Sequence, residues 1–202
     1  MIVVLMLLVL MSSAAIFSAR YATMGESMAR NQLDYERARQ AAESALRDAE
    51  RDLRLPGAPA AMPAGAVCDR ADTRPVAENL NTAAFTATCR GGQCMSDPTL
   101  VTDSDWTDTT KAEPWWPNAK GGRWARNKQP SAGCDFTGAV PLGTFTGVAA
   151  LQGVARQPEY LIEPFQRGSS GRLVFFRITA RGFGSSLQSQ VVLQSYYKPP
   201  LL

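Results

Sequence analysis

The chain predicts an α+β fold: one long N-terminal helix whose second half packs on an antiparallel β-sheet head. Three observations point there. Residues 1–55 hold no proline and one glycine, Gly25, and they stop at Leu55-Pro56-Gly57. Within them the character changes from oily to charged without a break signal. The last quarter of the chain instead alternates with a period of two, as strands do. The expected division is a helix over 1–55 and a β-rich head over 56–202.

The helix comes first. No charge occurs before Arg20, and Ile2 to Met11 form an unbroken apolar run. About 20 apolar helical residues cross a bilayer core, so residues 1–19 suit a membrane. A lone spanning segment must satisfy its own backbone hydrogen bonds and is therefore helical. Leu5 and Leu8 lie in the oily run, and Ser12, Ser13, Ala14, Ala15, Ser18 and Ala19 add a small-residue surface where other helices can approach. Leu5, Leu8, Ser12, Ala15 and Ala19 are the expected membrane and filament packing positions. The apolar start lacks a basic n-region and an A-x-A site, so it is expected to stay attached rather than be cleaved as a signal peptide.

From Tyr21 onward the pattern is amphipathic. Met24, Met28, Tyr35, Ala38, Ala42, Ala45, Ala49 and Leu53 recur at steps of three, four and seven, with Leu46 widening the stripe. These are the expected contacts of the helix with the head. Their alanines gain little by burial but let another backbone come close. Glu26–Arg30, Glu43–Arg47 and Glu50–Arg54 are acid-before-base pairs at i,i+4, each worth a few tenths of a kcal/mol. At 1.5 Å per residue the rod is roughly 80 Å long. A domain of this size does not need such a rod; a protein joining a membrane to a filament does.

Composition narrows the chemistry. There are no histidines, which removes histidine triads, histidine bases and most zinc sites. The net charge of +3 does not argue for nucleic acid. Cys68, Cys89, Cys94 and Cys134 are even in number, and their gaps fit neither a zinc ribbon nor a redox CxxC. Two disulfides in an oxidising space fit better, in a Gram-negative cell the periplasm. Three connectivities are open. The short loop from Cys89 to Cys94 can close on itself, which favours Cys89–Cys94 with Cys68–Cys134.

In the head, residues 56–67 are rich in Pro, Ala and Gly and read as an extended connector. Residues 83–89 (AAFTATC) alternate like a short strand. Residues 99–130 are irregular and hold Trp106, Trp115, Trp116 and Trp124, which are expected to pin a long loop to the core. Asp103, Asp105 and Asp108 have a spacing reminiscent of calcium ligands, but the rest of a calcium loop is missing, and a polar turn is the simpler reading. Lys120, Arg123, Arg126 and Lys128 surround Trp124. Such a group could stack on single-stranded nucleic acid, although a solvated loop with one anchoring tryptophan explains it as well. Strands are expected at 159–163 (EYLIE), 172–180 (RLVFFRITA) and 190–197 (QVVLQSYY), with 181–186 as a turn-rich link. No nucleophile–base pair, phosphate-binding glycine loop or metal constellation is present, so neither a cofactor nor an enzyme is expected.

Two stretches carry a family resemblance. Met24-Gly-Glu-Ser-Met-Ala-Arg-Asn31 and Gln40-Ala-Ala-Glu-Ser-Ala-Leu-Arg-Asp-Ala-Glu50 follow the apolar start. Tyr160-Leu-Ile-Glu163, Phe176-Arg-Ile-Thr-Ala-Arg-Gly182 and Val191-Val-Leu-Gln-Ser195 form the ending. Together they resemble the PilX-type minor pilins of type IV pili; residues from about 56 to 157 carry no matching motif. The resemblance implies a pilin fold, insertion in the inner membrane with the head in the periplasm, and transfer into a pilus. It implies a role in priming assembly at the tip. The partners it implies are other minor pilins, the major pilin, a large tip adhesin and the inner-membrane assembly platform.

Family precursors carry a short basic leader ending in Gly that a prepilin peptidase removes; the sequence as given opens directly on the apolar run at Met1, as a mature form or one with a mis-called start would. Major pilins also carry a Glu near the mature N-terminus, whereas the first acid here is Glu26. Lacking that Glu is usual for PilX-type proteins and for the tip pseudopilins of type II secretion, which are the nearest alternative function. A membrane-anchored periplasmic enzyme is a third reading, disfavoured by the missing acid–base groups.

Overall fold

The structure, a computed structural model, describes residues 1–54, 85–95, 113–124, 138–166 and 173–198. The connector at 56–67, Cys68, Cys134, Trp106, the acidic group Asp103, Asp105 and Asp108, and Arg126 and Lys128 lie outside the described residues.

Helix α1 runs Ile2–Arg54 as one element of 53 residues. Nothing in its sequence interrupts hydrogen bonding, and Arg51 and Arg54 in the last turn suit the negative end of the helix dipole. Glu26 pairs with Arg30 at 2.5 Å as expected. Glu43 pairs instead with Arg39, one turn earlier, at 3.3 Å. Arg54 leaves its helical neighbour for the head, where its Nε donates to the Tyr197 hydroxyl at 2.7 Å.

Four antiparallel strands form a meander in the order β1 (Val140–Pro141), β2 (Glu159–Gln166), β3 (Leu173–Phe183) and β4 (Gln190–Tyr197). The three long strands fall where alternation placed them. β3 runs further than expected: Arg181, Gly182 and Phe183 belong to the strand and not to the turn-rich link. Of the expected strand at 83–89, the described part, 85–89, is not a strand. Residues 85–95 make isolated bridges, Thr86 to Cys94, Arg90 to Gln93 and Gln93 to Ile162, because the chain reverses at Cys89, whose φ is 57°.

Alternation divides the sheet into two faces. Tyr160, Ile162, Phe176, Ile178 and Ala180 point to α1 and form the main core with Ala45, Ala49, Leu53, Phe85, Val140, Phe145 and Tyr197. Burial of each large apolar side chain contributes about 1.5–3 kcal/mol. The other face carries Glu159, Leu161, Glu163, Arg177 and Arg181. Residues 92–94 run along the edge of β2, where the Cys94 N–H donates to the Ile162 carbonyl and the Ile162 N–H to that of Gly92. On this side of the sheet Cys89, Cys94, Trp124, Ala139 and Leu161 form a second cluster with Trp115 against it.

Candidate assembly surface

Among the described residues the head meets the rod from Asp34 to its C-terminal end. Ala38, Ala41, Ala42, Ala45, Ala49 and Leu53 are buried, and Leu46 is partly buried against the core. The alanines bring the two backbones together, and β3 answers with glycine. A Cβ on Gly182 would fall onto the Ala38 carbonyl oxygen and the Ala42 amide. One on Gly184 would fall onto Asp34. Met24, Met28 and Tyr35, expected on the same stripe, are instead exposed at 57%, 62% and 55%. The stripe continues past the head because the loop after β3 reaches the rod no higher than Asp34.

Three acids hook the head to the rod, and an apolar stripe does not reveal them. Asp34 Oδ1 accepts from the backbone N–H of Ser185 at 2.5 Å and from its hydroxyl at 2.6 Å. The Ser185 hydroxyl, with Ser189 and the Ser185 N–H, holds the Asp34 carboxyl below the usual range. Asp48 accepts from the Gly143 N–H at 2.8 Å and from the Thr146 hydroxyl. Burial pushes its pKa up; the bonds from Thr146 and Gly143 only partly oppose this. Asp52 accepts from the Tyr160 hydroxyl at 3.0 Å. The available signal was that Asp48 and Asp52, four apart, lie beside Ala45, Ala49 and Leu53 on the buried side of the helix.

Crossed charges tie the outer sheet face. Glu163 lies opposite Arg177, and Glu159 opposite Arg181. Arg177 donates to both oxygens of Glu163 at 2.8 Å and to Glu113 at 2.6 Å. Burial opposes the charge on Arg177, but the Glu163 and Glu113 carboxylates outweigh it and push the pKa up. Arg181 bonds Glu159, which Arg156 also reaches at 2.6 Å. The Trp124 ring stacks on Arg181 at 4.5 Å, and its Nε1 donates to the Trp115 carbonyl at 2.9 Å. That ring is therefore committed to the head rather than offered to a nucleotide base. Cys89 and Cys94 are joined in a disulfide, both buried. Among the described residues no group of three His, Cys, Asp or Glu could hold a metal.

Above the grip the rod is bare. Leu5 and Leu8 are exposed at 60% and 56%, and Ser12, Ala15 and Ala19 are exposed too. Among the described residues one helix is long and apolar enough to cross a membrane, and its apolar window is wholly unburied. Two hydroxyls there bond within the helix: Ser12 Oγ donates to the Leu8 carbonyl at 2.7 Å and Ser13 Oγ to that of Leu10 at 2.8 Å. At these two positions the rod can therefore face lipid or other helices without a stranded hydroxyl.

A bare apolar half-rod continuous with the spine of a β-sheet head is the architecture of a pilin-like protein, built to be shared between a membrane and a fibre. Residues 64–199 match the family described as Type IV pilus assembly protein PilX C-term, which is more than half of the chain. The chain belongs to that family, a structural component of the type IV pilus. The match runs through the middle of the head as well as its end. No curated protein and no solved structure matches the chain.

Proposed function

We propose that this chain is a minor pilin that helps prime a type IV pilus and sits at or near its tip. Its partners there are other minor pilins and a large tip adhesin, and the pilus serves adhesion, twitching motility and DNA uptake. The observation that carries this reading is the uncovered first half of α1. In the inner membrane that half is held by lipid, with the disulfide-bearing head on the periplasmic side. In the fibre the same surface packs on neighbouring rods. Exchanging lipid for helices changes apolar burial little, so close packing of small residues decides the transfer. The tip position rests on charge. Residues 1–25 carry no acid. An acid in an oily bundle needs a partner, and a subunit with none above it has no use for one.

Removing the gene should abolish or sharply reduce surface pili while exoprotein secretion continues. The opposite pattern assigns the chain to a type II secretion pseudopilus. Gold-labelled antibody to the head should mark fibre ends; label spread along the shaft overturns the tip assignment.

A further inference from the structure

We propose that the outer edge of β4 receives a β-strand from a different chain of the pilus assembly, an inference that rests on the assembly reading above. The two edges of the sheet are built differently. At one edge, β1 is two residues long and ends in Pro141, so it offers almost no template. At the other, β4 is eight residues long (QVVLQSYY) with neither charge nor proline. Soluble sheets normally protect such an edge by shortness, lysine, proline or a bulge. β1 uses two of these devices and β4 none.

The register shows which groups are on offer. The Gly184 N–H donates to the Ser189 carbonyl at 2.8 Å. Bonded pairs recur every second residue in an antiparallel ladder, so Gly182–Val191, Ala180–Leu193 and Ile178–Ser195 bond mutually. The N–H and C=O groups of Val192 and Gln194 therefore point away from β3. Among the described residues no strand pairs with them. Val192 is 43% exposed, and Gln194 is exposed with its side chain turned back to Thr179 Oγ1 at 3.1 Å. A row of outward N–H and C=O groups is satisfied as a set only by another extended strand. That strand is uncharged, with apolar side chains at alternate positions to lie beside Val191 and Leu193, which share the rod side of β4.

The rod argues against a second copy. Antiparallel pairing of two identical β4 edges needs a two-fold axis normal to the sheet. Helix α1 lies along that sheet, so the axis would point the two rods in opposite directions, and their apolar halves could not enter one membrane. A strand from a non-identical chain has no such constraint.

The test uses the full-length chain in piliated cells. Val192→Pro removes an outward donor without touching a bond to β3, and Val192→Lys keeps the donor but adds an edge charge. Recovery of each variant in sheared pili should fall by about tenfold or more, while hydrogen exchange in micelles shows β2 and β3 as protected as in wild type. If the proline variant unfolds, the lysine variant decides. Wild-type recovery of the folded variants overturns the proposal, and so does efficient disulfide linkage between two copies of a Val192→Cys chain. Should the wild-type chain itself be missing from pili, the pilus reading fails, and the edge is judged by exchange alone. Val192 and Gln194 amides that exchange as fast in the membrane fraction as in micelles then overturn the edge proposal.

Discussion

Gly182 of β3 lies directly against Ala42 of α1, so closely that a Cβ at 182 would meet the Ala42 amide nitrogen and Cα as well as the Ala38 carbonyl oxygen. The obstructing atoms are helix backbone and cannot swing aside. Gly182→Ala should therefore destabilise the head–rod contact by about 1–3 kcal/mol, as overpacking does. Urea unfolding of the full chain in micelles measures it. Gly25→Ala is the control: nothing lies within 4 Å of its Cβ position, so it should be neutral or stabilise the helix by about 1 kcal/mol.

Asp48 gives a pH signature. Burial raises its pKa above the ordinary 3.8, so the folded state holds this proton more tightly than the unfolded state. The stability it contributes is fully present below the ordinary carboxylate range and is lost as pH rises through the raised folded value. Wild type should therefore lose ground to Asp48→Asn as pH rises through that window. Asp34, with its pKa lowered, has the opposite sign: its contribution is present above the ordinary range and is lost as pH falls through the lowered value. Unfolding free energies of wild type, Asp48→Asn and Asp34→Asn across the acid range test both signs. Asp48→Ala removes the acceptor of the half-buried Gly143 N–H and of the Thr146 hydroxyl and should cost about 1–3 kcal/mol at neutral pH.

Arg177 is the partner of a fully buried carboxylate, Glu163, which is 0% exposed. Arg177→Leu takes the two-pronged guanidinium partner away from that buried carboxylate and should cost about 3–5 kcal/mol. The double change Arg177→Leu with Glu163→Leu removes both charges and should cost clearly less than the single one. A double-mutant cycle by denaturant unfolding reads the difference. Additive costs would mean that the pair does not couple.

Ala15 tests the bare half of the rod. Ala15→Phe or Ala19→Phe adds bulk to a small-residue surface that lipid tolerates and a close-packed helix bundle does not. Membrane levels should stay normal while recovery in sheared pili falls by about tenfold or more. Normal piliation with the variant present in fibres would count against transfer of this surface from lipid to neighbouring helices.

Much of this architecture was legible in the chain, for reasons that differ between its parts. The rod was legible because helical hydrogen bonds are local and no proline interrupts residues 2–54. β2, β3 and β4 were legible because β-branched and aromatic residues crowd into short runs there, Tyr160 to Ile162, Val174 to Ile178 and Val191 to Tyr197. Alternation misled at residues 83–89, where it is present but Cys89 turns back to meet Cys94. The helical stripe, for its part, placed Met24, Met28 and Tyr35 against the head, since a stripe carries no mark of where its partner ends.

By itself the sequence determined a membrane-compatible rod, a set of strands and an oxidised head, since each depends on neighbours within a few residues. Only the tertiary structure decided where the head holds the rod, which acids hook it, and that Glu163 faces Arg177 and Glu159 faces Arg181. Those outcomes depend on strand register and on close backbone approach at Gly182. Both join residues that lie far apart in the chain, and no local pattern encodes them.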